Sequence, residues 1–175
     1  MLKRISNRWV SIHLASRKQF NMARSDFAFH HRLRVRWSET DAQGVVFNAR
    51  YLDYADVAIT EYWRAVKFRD HANGKPLEFH VKKATVTWFA PIKPDELIEV
   101  MARTLATGRT SMTQIVEIHG ATDDGSDDLR AIVDLVSVHV DLDAHRPIPL
   151  PLWIAKTFAE FDQRASSATL ASAKS

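Results

Sequence analysis

Between Trp37 and Tyr51 the chain reads Trp-Ser-Glu-Thr-Asp41-Ala-Gln-Gly44-Val-Val-Phe47-Asn48-Ala-Arg-Tyr51. That order places a carboxylate in a polar loop, then a glycine, three apolar residues and the start of a helical pattern. A helix N-terminus presents backbone N–H groups without partners inside the helix, at the positive end of its dipole. An acyl carbonyl whose oxygen rests on those groups is polarised, and a carboxylate a few ångström away supplies a base or a nucleophile. These are the parts for attack on an acyl group. A plainer reading fits the same spacing: Asp41 and Glu39 are ordinary loop acids, and Gly44 only turns the chain.

Other chemistries lack their parts. There is no cysteine, hence no disulfide framework, thiol nucleophile or thiolate metal site. The five glycines, at 44, 74, 108, 120 and 125, build no G-x-S-x-G, G-x-G-x-x-G or G-x-x-x-x-G-K. A nucleophile-elbow hydrolase, a dinucleotide-binding enzyme and a P-loop NTPase are therefore unsupported. The eight histidines contain no H-E-x-x-H and no i, i+4 pair. His30 and His31 are neighbours on a strand and point to opposite faces. His139, Asp141 and His145 form a conceivable ligand set, but a hydrogen-bonded strand histidine beside a polar turn explains them better. No metal ligands are expected.

With 175 residues, 46% hydrophobic and 26% charged, the chain is sized and balanced for one soluble globular domain. Its apolar runs are too short to cross a bilayer. The net charge is +3, yet Lys3, Arg4, Arg8, Arg17 and Lys18 give residues 1–21 alone +5 with no acid, which leaves −2 for residues 22–175. Such a body offers no basic face for a phosphate backbone, so nucleic acid is not an expected partner. The leader has the composition of a transit peptide and lacks the apolar core of a secretory signal. A start of translation at Met22, with an upstream extension before it, accounts for it more simply. Residues 1–24 are thus read as a poorly ordered basic extension, 25–164 as the domain and 165–175 as a flexible Ser/Ala/Thr tail, in a cytoplasmic protein.

The elements that must hold the loop follow from periodicity. Phe29–Trp37 alternates Leu33, Val35 and Trp37 with Arg32, Arg34 and Arg36, the pattern of a strand with one wet face. Leu52, Ala55, Ile59, Tyr62 or Trp63, and Val66 are spaced for a long amphipathic helix over Ala49–Val66, with Asn48 as its N-cap. Strands are read at Leu77–Phe89, Leu97–Leu105, Thr110–His119 and Leu129–Leu142, joined by Pro91–Glu96, by Gly108–Arg109 and by the acidic loop Thr122–Asp128. A closing helix, Trp153–Phe161, follows Pro147, Pro149 and Pro151. The result is an α+β domain: a long helix covered by a curved antiparallel sheet of about five strands, the last four in a meander. Open sheet edges make dimerisation by sheet continuation an expectation.

The stretch around Asp41 resembles the hotdog-fold thioesterase superfamily, specifically its 4-hydroxybenzoyl-CoA thioesterase-like acyl-CoA thioesterases. The signature is a strand ending in an acid-rich turn, D-x-x-G, a hydrophobic residue and Val, an aromatic, a polar residue, and a Tyr in the first helical turn. Here it appears as Asp41, Gly44, Val45, Val46, Phe47, Asn48 and Tyr51. The likeness runs from about Phe27 to Asp143 and includes Tyr62–Trp63 and the segment Trp88–Leu97. It implies the hotdog fold and hydrolysis of an acyl-CoA to free acid and coenzyme A. Coenzyme A then arrives as part of the substrate, with no separate cofactor. Asp41 matches the general base or nucleophile, and the backbone N–H of Asn48 matches the group that polarises the thioester carbonyl. Gly44 and Tyr51 fall at the substrate, Tyr51 either lining the acyl pocket or serving as a core aromatic. Arg109, Thr110 and Ser111 fall where relatives contact the CoA phosphates, although Arg109 equally suits a solvated hairpin turn.

Many relatives carry His or Tyr where this chain has Asn48, and some carry Pro where it has Ala42. Asp53, Asp56 and Glu61 could imitate the helix-borne acid of a second hotdog class, but solvated surface charges fit them better. The resemblance implies a homodimer or homotetramer, with the site at a subunit interface. A non-catalytic acyl-CoA binding module and a hotdog hydratase remain as rival functions on the same fold.

Overall fold

The structure is a computed structural model that describes residues 22–122 and 126–172, with side chains described as far as Ala165. The leader up to Asn21 and the centre of the acidic loop lie outside the described residues. Strand β1 (Phe29–Arg34) leads through a 3-10 turn (Trp37–Glu39) and a loop to helix α1 (Arg50–Ala65). A short helix α2 (Phe68–His71) is followed by β2 (Glu78–Trp88), β3 (Leu97–Thr107), β4 (Ser111–Gly120), β5 (Leu129–Asp141) and the two-residue β6 (Arg146–Pro147). Helix α3 (Leu152–Ser172) closes the chain.

The strands form one antiparallel sheet in the order β1-β3-β4-β5-β2, with β6 on β5. The meander expected for the last four strands holds for β3, β4 and β5 only, because β2 pairs with β5 rather than with β3. The link Phe89–Glu96 therefore crosses the ends of β5 and β4 instead of making a hairpin. Three strand spacings of about 4.8 Å lie within reach of an extended chain of that length, at about 3.3 Å per residue. Arg130 pins the crossing link, bonding the Pro91 carbonyl and pairing with Glu96 at 2.7 Å. Register shifts beside Lys82, Leu105 and Arg130 add local bend to the sheet.

Alternation along the strands sorts the two faces. Phe29, Ile98, Val100, Ala102, Val116, Ile118, Ala131 and Val133 are buried on the inner face. Against them α1 lays one stripe, Tyr51, Tyr54, Ala55, Ala58 and Tyr62, at the three- and four-residue spacing of a helix face. Fully burying one Ile side chain contributes roughly 1.5–3 kcal/mol, so this interface holds the domain together. Helix α3 joins through Ile154 and Phe158, both with no exposed surface. Its Asp162 Oδ2 accepts the Tyr62 hydroxyl at 2.8 Å and the Thr104 N–H at 3.0 Å, which ties α3 to α1 and β3.

The outer face carries Met101, Ile115 and Ile132 under Phe27, and Met22 packs on this second cluster. Arg24 forms a largely buried ion pair with Glu99, which also meets His30 and Arg32. The folded unit thus reaches back to Met22, ahead of the start expected at residue 25. At the other end α3 runs to Ser172, past Phe161, through residues assigned to a tail. Small Ala and Ser residues give no apolar stripe to read, but Ala is the strongest helix former. Among the described residues no helix is long and apolar enough to cross a membrane.

Candidate active site

The loop after β1 is built as a tight hairpin. Thr40 bridges Val46, the Asp41 N–H donates to the Val45 carbonyl at 2.9 Å, and the Gly44 N–H donates to the Asp41 carbonyl at 3.0 Å. Gly44 sits at φ +72°, a conformation that favours glycine, so the D-x-x-G spacing has a backbone reason. Asp41 Oδ1 accepts the Gln43 N–H at 2.8 Å, fixing the carboxylate over its own turn. Among the described residues Oδ2 has no hydrogen-bond partner and stays available to water or substrate.

Two further bonds anchor the loop. The Val46 N–H donates to the Ile92 carbonyl and the Phe47 N–H to the Glu39 carbonyl, both at 2.9 Å. The helix then begins without the expected side-chain cap. Ala49, not Asn48, occupies the N-cap position, and no side chain caps it. A tight turn replaces the cap, with the Arg50 N–H donating to the Phe47 carbonyl at 2.8 Å and Leu52 to Ala49 at 3.1 Å. Among the described residues no backbone or side-chain acceptor meets the Asn48 N–H. An open donor just before α1 and an open carboxylate oxygen thus lie a few residues apart along one loop, and these are the two kinds of group that stabilise and attack an acyl carbonyl.

Tyr51 is buried beneath this loop, edge-on to Tyr54 at 6.3 Å and to Trp88 at 6.0 Å. Burial pushes its hydroxyl up, against the opposing pull of the Ile92 backbone and Arg130. Within one chain Tyr51 is thus a core aromatic. Tyr54 donates to Glu39 Oε2 at 2.8 Å; burial first, and then this bond to a carboxylate, raise its hydroxyl far above the ordinary range. Trp37, Phe47 and Trp88 stand exposed along the loop and its neighbouring strand end. Asp53 pairs with Arg50 and Glu61 with Arg64 on the outer side of α1, the surface roles expected of them.

The remaining sequence-predicted residues lie elsewhere. Arg109, Thr110 and Ser111 form the β3–β4 hairpin, closed by the Gly108 N–H on the Ser111 carbonyl at 2.7 Å. Arg109 is exposed beside a crevice of about 250 Å³ lined by Pro149, Leu150 and Leu152. β1 enters the Asp41 loop beside Leu97, whereas the hairpin follows Thr107 at the far end of β3, roughly 30 Å along the strand. The structure thus keeps Asp41, Gly44, Asn48 and Tyr51 on one loop and the helix start that follows it, and leaves Arg109, Thr110 and Ser111 at the opposite end of the sheet. At that end, between α1 and the start of β2, lies a cleft of about 500 Å³ whose floor includes Ile59, Trp63, Phe68 and Phe79. Sequence spacing puts Ile59 on the apolar stripe of the helix and contains no signal for the cleft. His139 Nδ1 bonds the Pro149 carbonyl at 2.9 Å, and the described residues hold no cluster of His, Asp and Glu suited to a metal.

The model of the Thioesterase-like superfamily matches residues 35–158, which spans the loop, α1 and the whole of β2 to β6. An acyl-CoA thioester hydrolase YbgC of Escherichia coli O6:H1 is 31% identical over 132 residues, covering 75% of this chain and 93% of that protein. The acyl-CoA thioesterase YbgC of Haemophilus influenzae is 33% identical over 99 residues, 55% of this chain and 65% of that protein. Among solved structures, a thioesterase of Thermus thermophilus complexed with coenzyme A and Zn superposes with a TM-score of 0.65 at 25% identity, covering 78% of this chain and 96% of that one. The chain belongs to the thioesterase-like superfamily, and its curled sheet around α1 is the hotdog fold.

Proposed function

We propose that this chain is an acyl-CoA thioesterase in which Asp41 and the Asn48 N–H do the chemistry. The observation that carries the reading is a single loop in which one Asp41 oxygen and the Asn48 N–H, a few residues apart in the chain, are both without a partner among the described residues, within a chain related to acyl-CoA thioester hydrolases. The thioester oxygen accepts the Asn48 N–H, and negative charge builds there as the carbonyl is attacked. In one route Asp41 takes a proton from water and the hydroxide adds to the carbonyl carbon. In the other Asp41 adds directly, expels the thiolate to leave a mixed anhydride, and water cleaves that anhydride. Both routes consume one water, break the carbon–sulfur bond and give the acid and the free thiol. A thiol of pKa ~8.5 leaves readily, so neither route needs a strong general acid.

Arg109, Thr110 and Ser111 are the proposed grip on the CoA phosphates, which requires a second copy of the chain. The free edge of β2 supports that copy: Val81 and Trp88 are exposed along it, and Leu52 and Val57 extend an apolar flank on α1. Two β2 strands paired antiparallel about their midpoint set Glu78 beside the partner's Trp88. The Asp41 loop of one copy then faces the cleft and hairpin end of the other, and a homodimer has two composite sites.

Free-thiol release measured with benzoyl-, short-, medium- and long-chain acyl-CoA, on wild type and Asp41→Asn, tests the proposal. Turnover that falls by about 10²–10³ in the variant supports it, by analogy with loss of other transition-state contacts. Tight CoA-ester binding without wild-type turnover would replace it with a binding module.

A further inference from the structure

We infer that Glu39 and Tyr54 are positioning residues for this reaction, their hydrogen bond fixing the Asn48 N–H relative to the Asp41 carboxylate. The inference rests on the roles proposed above for Asp41 and Asn48. Three parts of the chain meet at Glu39. Its Oε2 accepts the Arg36 N–H at 2.7 Å, holding the 3-10 turn that follows β1. The same oxygen accepts the Tyr54 hydroxyl at 2.8 Å, a bond that reaches into α1. Its main-chain carbonyl accepts the Phe47 N–H at 2.9 Å, one residue before Asn48.

Asp41 lies two residues after Glu39, so one residue is tied at once to the chain leading into the carboxylate, to the chain carrying the open N–H, and to the helix behind both. The Glu39 side chain is 14% exposed, which limits competition from water for Tyr54. Tyr54 is itself held edge-on by Tyr51, and Tyr51 by Trp88, so the phenol has little freedom to follow a displaced loop. The link is short and its ends are rigid. A displacement near 1 Å of a reacting group lowers turnover by up to about 10²-fold, which is the scale on which such a link acts.

The alternative is that the bond merely contributes to stability, and kinetics separate the two. Tyr54→Phe removes one oxygen and keeps the ring packing. It should lower kcat about tenfold while KM stays within about twofold, because ground-state binding is untouched. Glu39→Ala should lower kcat further, Glu39→Gln should recover most of it through its amide oxygen, and Tyr54→Phe added to Glu39→Ala should cost nothing more, since the shared bond is already gone. Asp41→Asn on the same substrate anchors the comparison. Wild-type kcat in both Tyr54→Phe and Glu39→Ala, with Asp41→Asn inactive, overturns the inference and leaves the site reading standing. An effect confined to KM overturns it equally. Wild-type turnover in Asp41→Asn removes the site reading and the inference with it. Should Glu39→Ala fail to fold, Tyr54→Phe decides alone.

Discussion

Mixing two crippled variants tests whether the working groups come from different copies. Asp41→Asn removes the attacking group, at a cost of about 10²–10³ in turnover. Arg109→Ala removes a charge-assisted contact worth about 1.5–3 kcal/mol, or roughly ten- to a hundredfold in kcat/KM. Asp41 and Arg109 lie at opposite ends of β3 in each chain, and pairing of two β2 edges would bring each group to its counterpart from the other chain. After exchange at equal concentrations, half of the dimers contain one chain of each kind. Each such dimer has one site with both substitutions and one site with neither. With two-fold symmetry and random exchange, activity at low substrate should therefore recover to about a quarter of wild type, well above the mean of the two parents. Thiol release reads the activity, and native mass spectrometry reports the mixed dimer. Mixed dimers at full abundance with activity at the parental mean would refute the shared site.

Asp162→Asn should raise Tm at pH 7 by a few degrees, since about 1 kcal/mol moves a chain of this size roughly 2–4 °C. Burial holds the Asp162 carboxyl above its ordinary range, so stability from this group is full in acid and declines as pH climbs through the folded value; the gain should vanish near pH ~3 in a thermal scan. Tyr54 gives the alkaline counterpart: its raised hydroxyl contributes stability that is full below about pH 10 and lost above it, and denaturant titrations of Tyr54→Phe should lack that loss. Gly120→Ala would drive a Cβ into the Asp128 carboxylate, which Arg130 holds through two bonds, and should cost about 1–3 kcal/mol as a shifted midpoint.

What the sequence makes legible here is local. Residues 37–51 carry their own turn chemistry, so the Asp41–Gly44 turn forms in the structure as the D-x-x-G spacing suggests. The stripe on α1 and the β3-β4-β5 meander likewise follow from periods of 3.6 and 2. Failures occur where a distant partner decides. Nothing in Pro91–Glu96 distinguishes a hairpin from a crossing; Arg130, more than thirty residues on, holds the crossing in place. Asn48 suits an N-cap by type, yet the Phe47 carbonyl closes the first turn and leaves its N–H open. Arg24 reads as part of a basic leader until Glu99 meets it from β3. Glu39 reads as a loop acid until Tyr54 meets it from α1.

The same division explains why the chemistry is easier to read than the specificity. A thioester brings its own leaving group, so the proposed reaction asks the protein for one carboxylate and one N–H donor, and both fit within a single loop and helix start. Asp41 and Asn48 are close in sequence, and backbone hydrogen bonds within and around that interval set their geometry. Recognition of the acyl group and the carrier asks for area, which no short segment supplies. The cleft is walled by α1, α2 and β2, and the hairpin proposed to face the phosphates belongs to two further strands. If that cleft receives the acyl group, changes in Trp63, Phe68 or Phe79 should alter which acyl group is cleaved while Asp41 and Asn48 stay in place. Thioester cleavage with altered chain preference in Trp63→Ala is the expected result; loss of cleavage of every ester with the fold intact would place the cleft in the chemistry instead.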